Sequence, residues 1–175
     1  MLKCGDIILM YNRGFISKAI HWVLNFFQSD DVKYTHVAVV ISDSQIAEAK
    51  LDGIVLHTPY ESLKYAKRYK IVRYKFLTER GEERLKELLL SKIGTKYNYW
   101  RLVMQLLDNI FGTNWFTKHC AITKKENICS TYVTWAYYNA TGVRFNNVDW
   151  ISVEPDDIDD EVTNDPMMWE IIKES

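Results

Sequence analysis

Three residues of this chain have types and spacing that could together activate a nucleophile: Cys129, His36 and Glu48. A thiol attacks as its thiolate, so it needs a lowered pKa, a base within reach and donors for the developing oxyanion. Cys129 begins Cys129-Ser130-Thr131-Tyr132-Val133-Thr134-Trp135, which reads as the start of a helix. At that position the helix dipole favours a thiolate, and the first backbone N–H groups face outward. His36 lies in Tyr34-Thr35-His36-Val37-Ala38-Val39-Val40, where strand alternation puts it on the side of Ala38 and Val40. Glu48, in Ile46-Ala47-Glu48-Ala49, falls in the next strand, and two antiparallel neighbours would set it beside His36. The carboxylate would hold one ring nitrogen and leave the other for the thiol. Alone, a cysteine near a helix is more often a small buried hydrophobe, and a strand histidine a core residue. Their combination is what points to acyl-transfer chemistry.

The elements that must position these residues can be read from local pattern. Ile7-Ile8-Leu9-Met10-Tyr11, introduced by Gly5-Asp6, is a short apolar run that predicts a buried strand. Ile16, Ile20, Val23, Leu24 and Phe27 form the stripe of an amphipathic helix, with His21 on its polar side. Strands are expected over 34–41 and 45–50, joined by the Asp43-Ser44 turn. A further short strand, Ile54-Val55-Leu56, follows the Asp52-Gly53 turn, and another is expected over 69–76. Leu85, Leu88, Leu89 and Ile93 mark a helix with Gly94 placed to cap it. A second helix is expected over 100–111, and a third from Cys129 to Ala140, closed by Thr141-Gly142. Strands come first and helices second, which predicts a single α+β domain over 1–175.

Composition narrows the function classes. The 175 residues are 47% hydrophobic and 14% aromatic, enough for a real core and too much for a disordered chain. Net charge is −1, so no global field favours nucleic acid or an anionic membrane, and nucleic acid is not expected as a partner. A basic run over 64–75 and an acidic run over 154–161 read as solvated faces that neutralise each other in part. Three irregularly spaced cysteines make no disulfide framework, and the nine-residue gap from Cys120 to Cys129 matches no zinc pattern. His119 beside Cys120 lacks the further ligands a metal needs, and His57 follows a strand without an evident role. No secretory signal and no apolar run near ~20 residues is present, so a reducing cytoplasm is the expected location.

The motifs resemble a known family. Cys129-Ser130-Thr131-Tyr132-Val133-Thr134-Trp135-Ala136-Tyr137 looks like the nucleophile helix of NlpC-type cell-wall peptidases. The segment 89–93 with Gly94-Thr95-Lys96-Tyr97-Asn98 is similar to the helix-Gly-x-x-Tyr segment that precedes the nucleophile there. Thr35-His36-Val37-Ala38-Val39 and Ala47-Glu48-Ala49 resemble that family's histidine strand and the strand of its third residue. The order differs, with the histidine half before the cysteine half, as in the circularly permuted, YiiX-like branch of the papain-like fold. Gly5-Asp6-Ile7-Ile8 and Ile16-Ser17-Lys18-Ala19-Ile20 also look like that branch. The resemblance spans roughly 4–155. Ile128 stands where standard members carry aspartate, and the candidate oxyanion-side tyrosine is Tyr97.

The resemblance implies a permuted papain-like fold, an antiparallel sheet packed against helices. It implies a cysteine peptidase or amidase, with Cys129 as nucleophile, His36 as base, Glu48 as its orienting carboxylate and Tyr97 beside the oxyanion. The implied substrate is an amide, for instance in a cell-wall-type peptide, with no metal or organic cofactor. Two alternatives remain open: a lipid acyl hydrolase or acyltransferase on the same fold, and a non-catalytic binding module.

Overall fold

The computed structural model describes residues 1–12, 33–50, 53–95, 112–113, 129–147, 149–151 and 153–175. The helices expected over 16–27 and 100–111, and the residues Tyr97, His21, His119 and Cys120, lie outside them. Ten elements are described in chain order. They are β1 (Ile7–Asn12), β2 (His36–Ser42), β3 (Gln45–Lys50), β4 (Gly53–His57), α1 (Pro59–Leu63), β5 (Ala66–Tyr74), α2 (Glu79–Leu90), α3 (Cys129–Thr141), α4 (Pro155–Asn164) and β6 (Trp169–Glu174). The strands form one six-stranded sheet in the order β4-β3-β2-β1-β5-β6. Every pairing is antiparallel. The architecture is α+β, with helices packed on the sheet.

The central strands are apolar on both sides, which explains the unbroken run Ile7-Ile8-Leu9-Met10. Ile7, Leu9, Val37, Val39, Ala47 and Val72 face one core with Leu85 and Leu89 of α2 and Tyr132, Val133 and Ala136 of α3. Ile8, Met10, Ala38, Val40, Ile46 and Ile71 face a second cluster, against which Leu63 of α1 packs. His36 and Glu48 belong by alternation to this second face. Among the described residues, no helix is long and apolar enough to cross a membrane.

Helix ends follow local chemistry. Pro59 opens α1, and the Glu61 carboxylate accepts from the Thr58 backbone N–H at 2.9 Å. Thr78 caps α2 by accepting from the Gly81 N–H, and Leu85 and Leu89 lie one turn apart on its buried face. The expected reach of α2 to Ile93 is corrected: it stops at Leu90 with Ser91 as its cap. Gly94, at φ 78°, instead donates its N–H to the Ile54 carbonyl, tying that turn to β4. In α3 almost every side is buried, and Tyr132 Oη donates to the Leu89 carbonyl at 2.9 Å, fastening α3 to α2.

The acidic run over 154–161 also departs from the expected solvated face. Ile158 and Val162, one turn apart, bury one side of α4, and Asp159 is 1% exposed. Asp159 Oδ1 lies 2.5 Å from Lys70 Nζ of β5, so the acidic and basic runs do meet, in the interior. The strand expected over 69–76 is β5, shifted toward the N-terminus because Arg68 and Ala66 continue the ladder with β1, opposite Tyr11 and Asn12, across an irregularity at Lys67.

Candidate functional site

Three of the four sequence-predicted site residues come together, two of them through strand register. Ala38 of β2 stands directly opposite Glu48 of β3, so His36, two residues earlier on the same face, is a diagonal neighbour of Glu48. His36 Nε2 lies 3.3 Å from Glu48 Oε2. Cys129, the first residue of α3, meets His36, the first residue of β2. The two side chains share a hydrogen bond, and because Glu48 occupies Nε2 the ring nitrogen left for sulfur is Nδ1. Tyr97 lies outside the described residues.

The thiol is 6% exposed. Burial alone would raise its pKa. The hydrogen bond from His36 and the charge of that ring work the other way, helped by the backbone N–H groups of Val37 and Ser130. These outweigh burial and hold the thiol below its ordinary value. Among the described residues, the first turn of α3 carries no acidic residue, and its positive end favours the thiolate. Such a thiol can attack a carbonyl carbon with a proton-bearing imidazole beside it.

Glu48 is 1% exposed and lies at the centre of a cluster that sequence reasoning captured only in part. Its Oε1 receives Lys50 Nζ at 2.7 Å and His57 Nε2 at 2.8 Å. Its Oε2 receives Ser62 Oγ at 2.7 Å as well as His36. Four donors on two oxygens complement an ionised carboxylate, which only accepts. His57, expected to follow a strand, is instead the last residue of β4 and the mirror of His36. Glu48 pairs with Val55 and Ile46 with His57, so the second histidine sits on the opposite diagonal, on β4. The signal was present in the sequence: two residues separate Lys50 from Gly53, a spacing that sets hairpin register and turns Val55 and His57 to the face of Glu48. Ser62 had no comparable signal, since a five-residue helix presents it.

Burial holds His57 below the ordinary histidine pKa, with the Lys50 charge adding to the effect and Glu61 opposing it. The neutral ring then donates from Nε2 to Glu48 and takes the Lys50 ammonium at Nδ1, 3.4 Å away. Among the described residues, no group of three or more His, Cys, Asp or Glu is arranged to hold a metal ion.

The lead-in to His36 is held from α4. Asp156 Oδ1 accepts the Tyr34 N–H at 2.8 Å and Oδ2 the Lys33 N–H at 3.1 Å. The Thr35 N–H then bonds the Met10 carbonyl. The histidine therefore enters its strand from a fixed backbone.

No protein-family profile and no curated protein matches the sequence. Among solved structures, the fold is similar to the crystal structure of metalloprotein yiiX from Escherichia coli O157:H7, DUF1105. The TM-score is 0.53 at 18% identity, over 93% of this chain and 81% of that one. The chain thus has a yiiX-like fold.

Proposed function

We propose that the protein is a cysteine hydrolase that cleaves an amide, on a permuted papain-like arrangement in which the histidine strand precedes the nucleophile helix. One observation carries the reading. A buried thiol at a helix N-terminus, held below its ordinary pKa, is bonded to a histidine whose other nitrogen is held by a buried carboxylate.

In this mechanism the Cys129 thiolate attacks the carbonyl carbon. The oxyanion is met by N–H groups at the start of α3. The His36 imidazolium gives its proton to the departing amine as the C–N bond breaks, leaving a thioester. His36, now neutral, takes a proton from water, and the hydroxide attacks the thioester. The acid leaves, and the thiolate–imidazolium pair is restored. Glu48 keeps the ring aligned and bears no proton. A free thiolate suits a reducing cytoplasm.

The word metalloprotein belongs to yiiX. The donors around Glu48 in this chain do not fit a metal ion, because the Lys50 ammonium lies 2.7 Å from Oε1, where a cation would bind. No step is routed through a metal.

The test is turnover of a panel of peptide amides and acyl-lipid esters, with intact-mass detection of the acyl-enzyme. A mass adduct on Cys129 with an amide substrate, absent in Cys129→Ala, is the expected result. An adduct with lipid esters alone would move the substrate to lipid acyl groups. Turnover that survives Cys129→Ala would overturn the proposal.

A further inference from the structure

Glu48 is over-satisfied for a residue whose only task is to orient one histidine. Two of its four donors, Lys50 and His57, meet the oxygen that faces away from His36. Ser62 shares the oxygen that faces it. We propose that Lys50, His57 and Ser62 form a clamp that fixes Glu48 toward His36 and cancels its charge, making Lys50 and His57 positioning residues of the site. The inference rests on the hydrolase reading above and adds to it how the third residue is held and tuned.

The geometry sets a separate role for each partner. His57 and Ser62 bond different oxygens of the carboxylate, so together they fix its plane. Neither carries a charge in this arrangement. Lys50 brings a positive charge to Oε1 at 2.7 Å, and its side chain is 43% exposed, although partial burial and the Lys64 charge hold its pKa below the ordinary lysine value. The carboxylate that faces His36 is therefore one half of a neutral pair. A bare carboxylate there would hold the imidazolium more strongly and would oppose the thiolate beyond it. The charged and titratable groups facing this cluster are His36 on β2, Lys50 on β3, His57 on β4, Glu61 and Lys64 from α1 and its end, and Cys129 on α3. Glu61 is half exposed and bonded to the Thr58 N–H, and Lys64 acts on Lys50 by repulsion, so neither replaces the Lys50 charge at Glu48.

The experiment is the pH profile of Cys129 alkylation with two reagents, read by mass spectrometry beside the melting temperature. Neutral iodoacetamide reports the thiolate. Anionic iodoacetate also needs the imidazolium, so its rate falls again at high pH. The proteins are wild type, His36→Ala, Lys50→Met, His57→Leu and His57→Gln. Lys50→Met should move the upper iodoacetate midpoint up by about one pH unit, the effect of a unit charge roughly 7 Å away at an effective dielectric of roughly 40. It should move the lower midpoint up by less, so the window widens. A residue with a structural role only would lower the melting temperature without widening it. His57→Leu should cut the iodoacetamide rate at pH 6 several-fold. His57→Gln, whose amide N–H can take the place of Nε2–H, should restore the rate to within about twofold. The clamp is overturned if Lys50→Met leaves both midpoints where they were, or if His57→Gln is no better than a folded His57→Leu. Should His57→Leu fail to fold, Lys50→Met and His57→Gln against wild type still decide the matter. If His36→Ala leaves the Cys129 profile unchanged, the hydrolase reading falls. If His36→Ala abolishes it while Lys50→Met shifts nothing, only the clamp falls.

Discussion

Removing one charge of the buried pair between β5 and α4 should damage the protein more than removing both. Lys70 and Asp159 are 8% and 1% exposed at the side chain, and their nearest atoms are 2.5 Å apart. Asp159→Ala would leave the Lys70 ammonium with Glu174 alone, 3.4 Å away and half exposed. Removing one partner of a buried pair of this kind costs about 3–5 kcal/mol. In a chain of this size each kcal/mol is roughly 2–4 °C of melting temperature, so a fall of about 6–20 °C is expected. Replacing both groups by apolar residues, Lys70→Met with Asp159→Leu, should recover at least half of the loss. Burial opposes the Lys70 charge, but the bond to Asp159 and its charge outweigh it and raise the ammonium above its ordinary pKa. A raised ammonium pKa means that the contribution is fully present below about pH 10.4 and is lost as pH rises further. The same loss should reach the candidate site. Asp156 sits one turn before Asp159 on α4 and holds the amides of Lys33 and Tyr34, two residues ahead of His36. The assay is thermal and urea unfolding of wild type, both single variants and the double variant. The reasoning is refuted if Asp159→Ala lies within about 1 kcal/mol of wild type, a far smaller loss than a stranded charge gives. It is equally refuted if the double variant shows only the sum of the single losses.

Two further outcomes can be checked by melting temperature. Gly5 has φ 86°, its carbonyl accepts from Tyr137 Oη, and an added Cβ would lie 2.4 Å from Leu77 Cδ2. Gly5→Ala should therefore lose about 1–3 kcal/mol, combining left-handed strain with displacement of a flexible side-chain end. His57 is held below its ordinary pKa chiefly by burial, so the unfolded chain takes up its proton first on acidification. Stability should fall as pH drops below about 6.5, and His57→Gln should remove that part of the slope. An unchanged slope would mean that His57 does not titrate with folding.

How much was legible in the sequence depended on whether burial left a pattern. The residues 7–10 are apolar throughout because both faces of β1 are covered, and so they read as a buried strand. His36 and Glu48 were legible because alternation and a short turn place them on one face of adjacent strands. The same rule applied one hairpin further would have found His57, but a histidine at a strand end gives no apolar signal of its own. Lys50 reads as an exposed charge, and only the register reveals the carboxylate beneath it. α1 was missed because five residues are too few to show a helical period, and Pro59 and Glu61 define it instead. β6 was missed because Glu170, Lys173 and Glu174 interrupt its apolar positions. In α4 the charges outnumber Ile158 and Val162, so a charged surface was the natural reading of a helix whose Asp159 is buried.

The most direct test of the central claim is the pH dependence of Cys129 alkylation by iodoacetamide, resolved by site, in wild type and His36→Ala. Cys4 serves as the internal contrast, since burial and the nearby Glu82 push its thiol up to about 11. Wild-type Cys129 should react well below the free-thiol midpoint of ~8.5, and His36→Ala should move its midpoint up to that value or beyond. A Cys129 midpoint at or above ~8.5, the same in both proteins, would contradict the central claim.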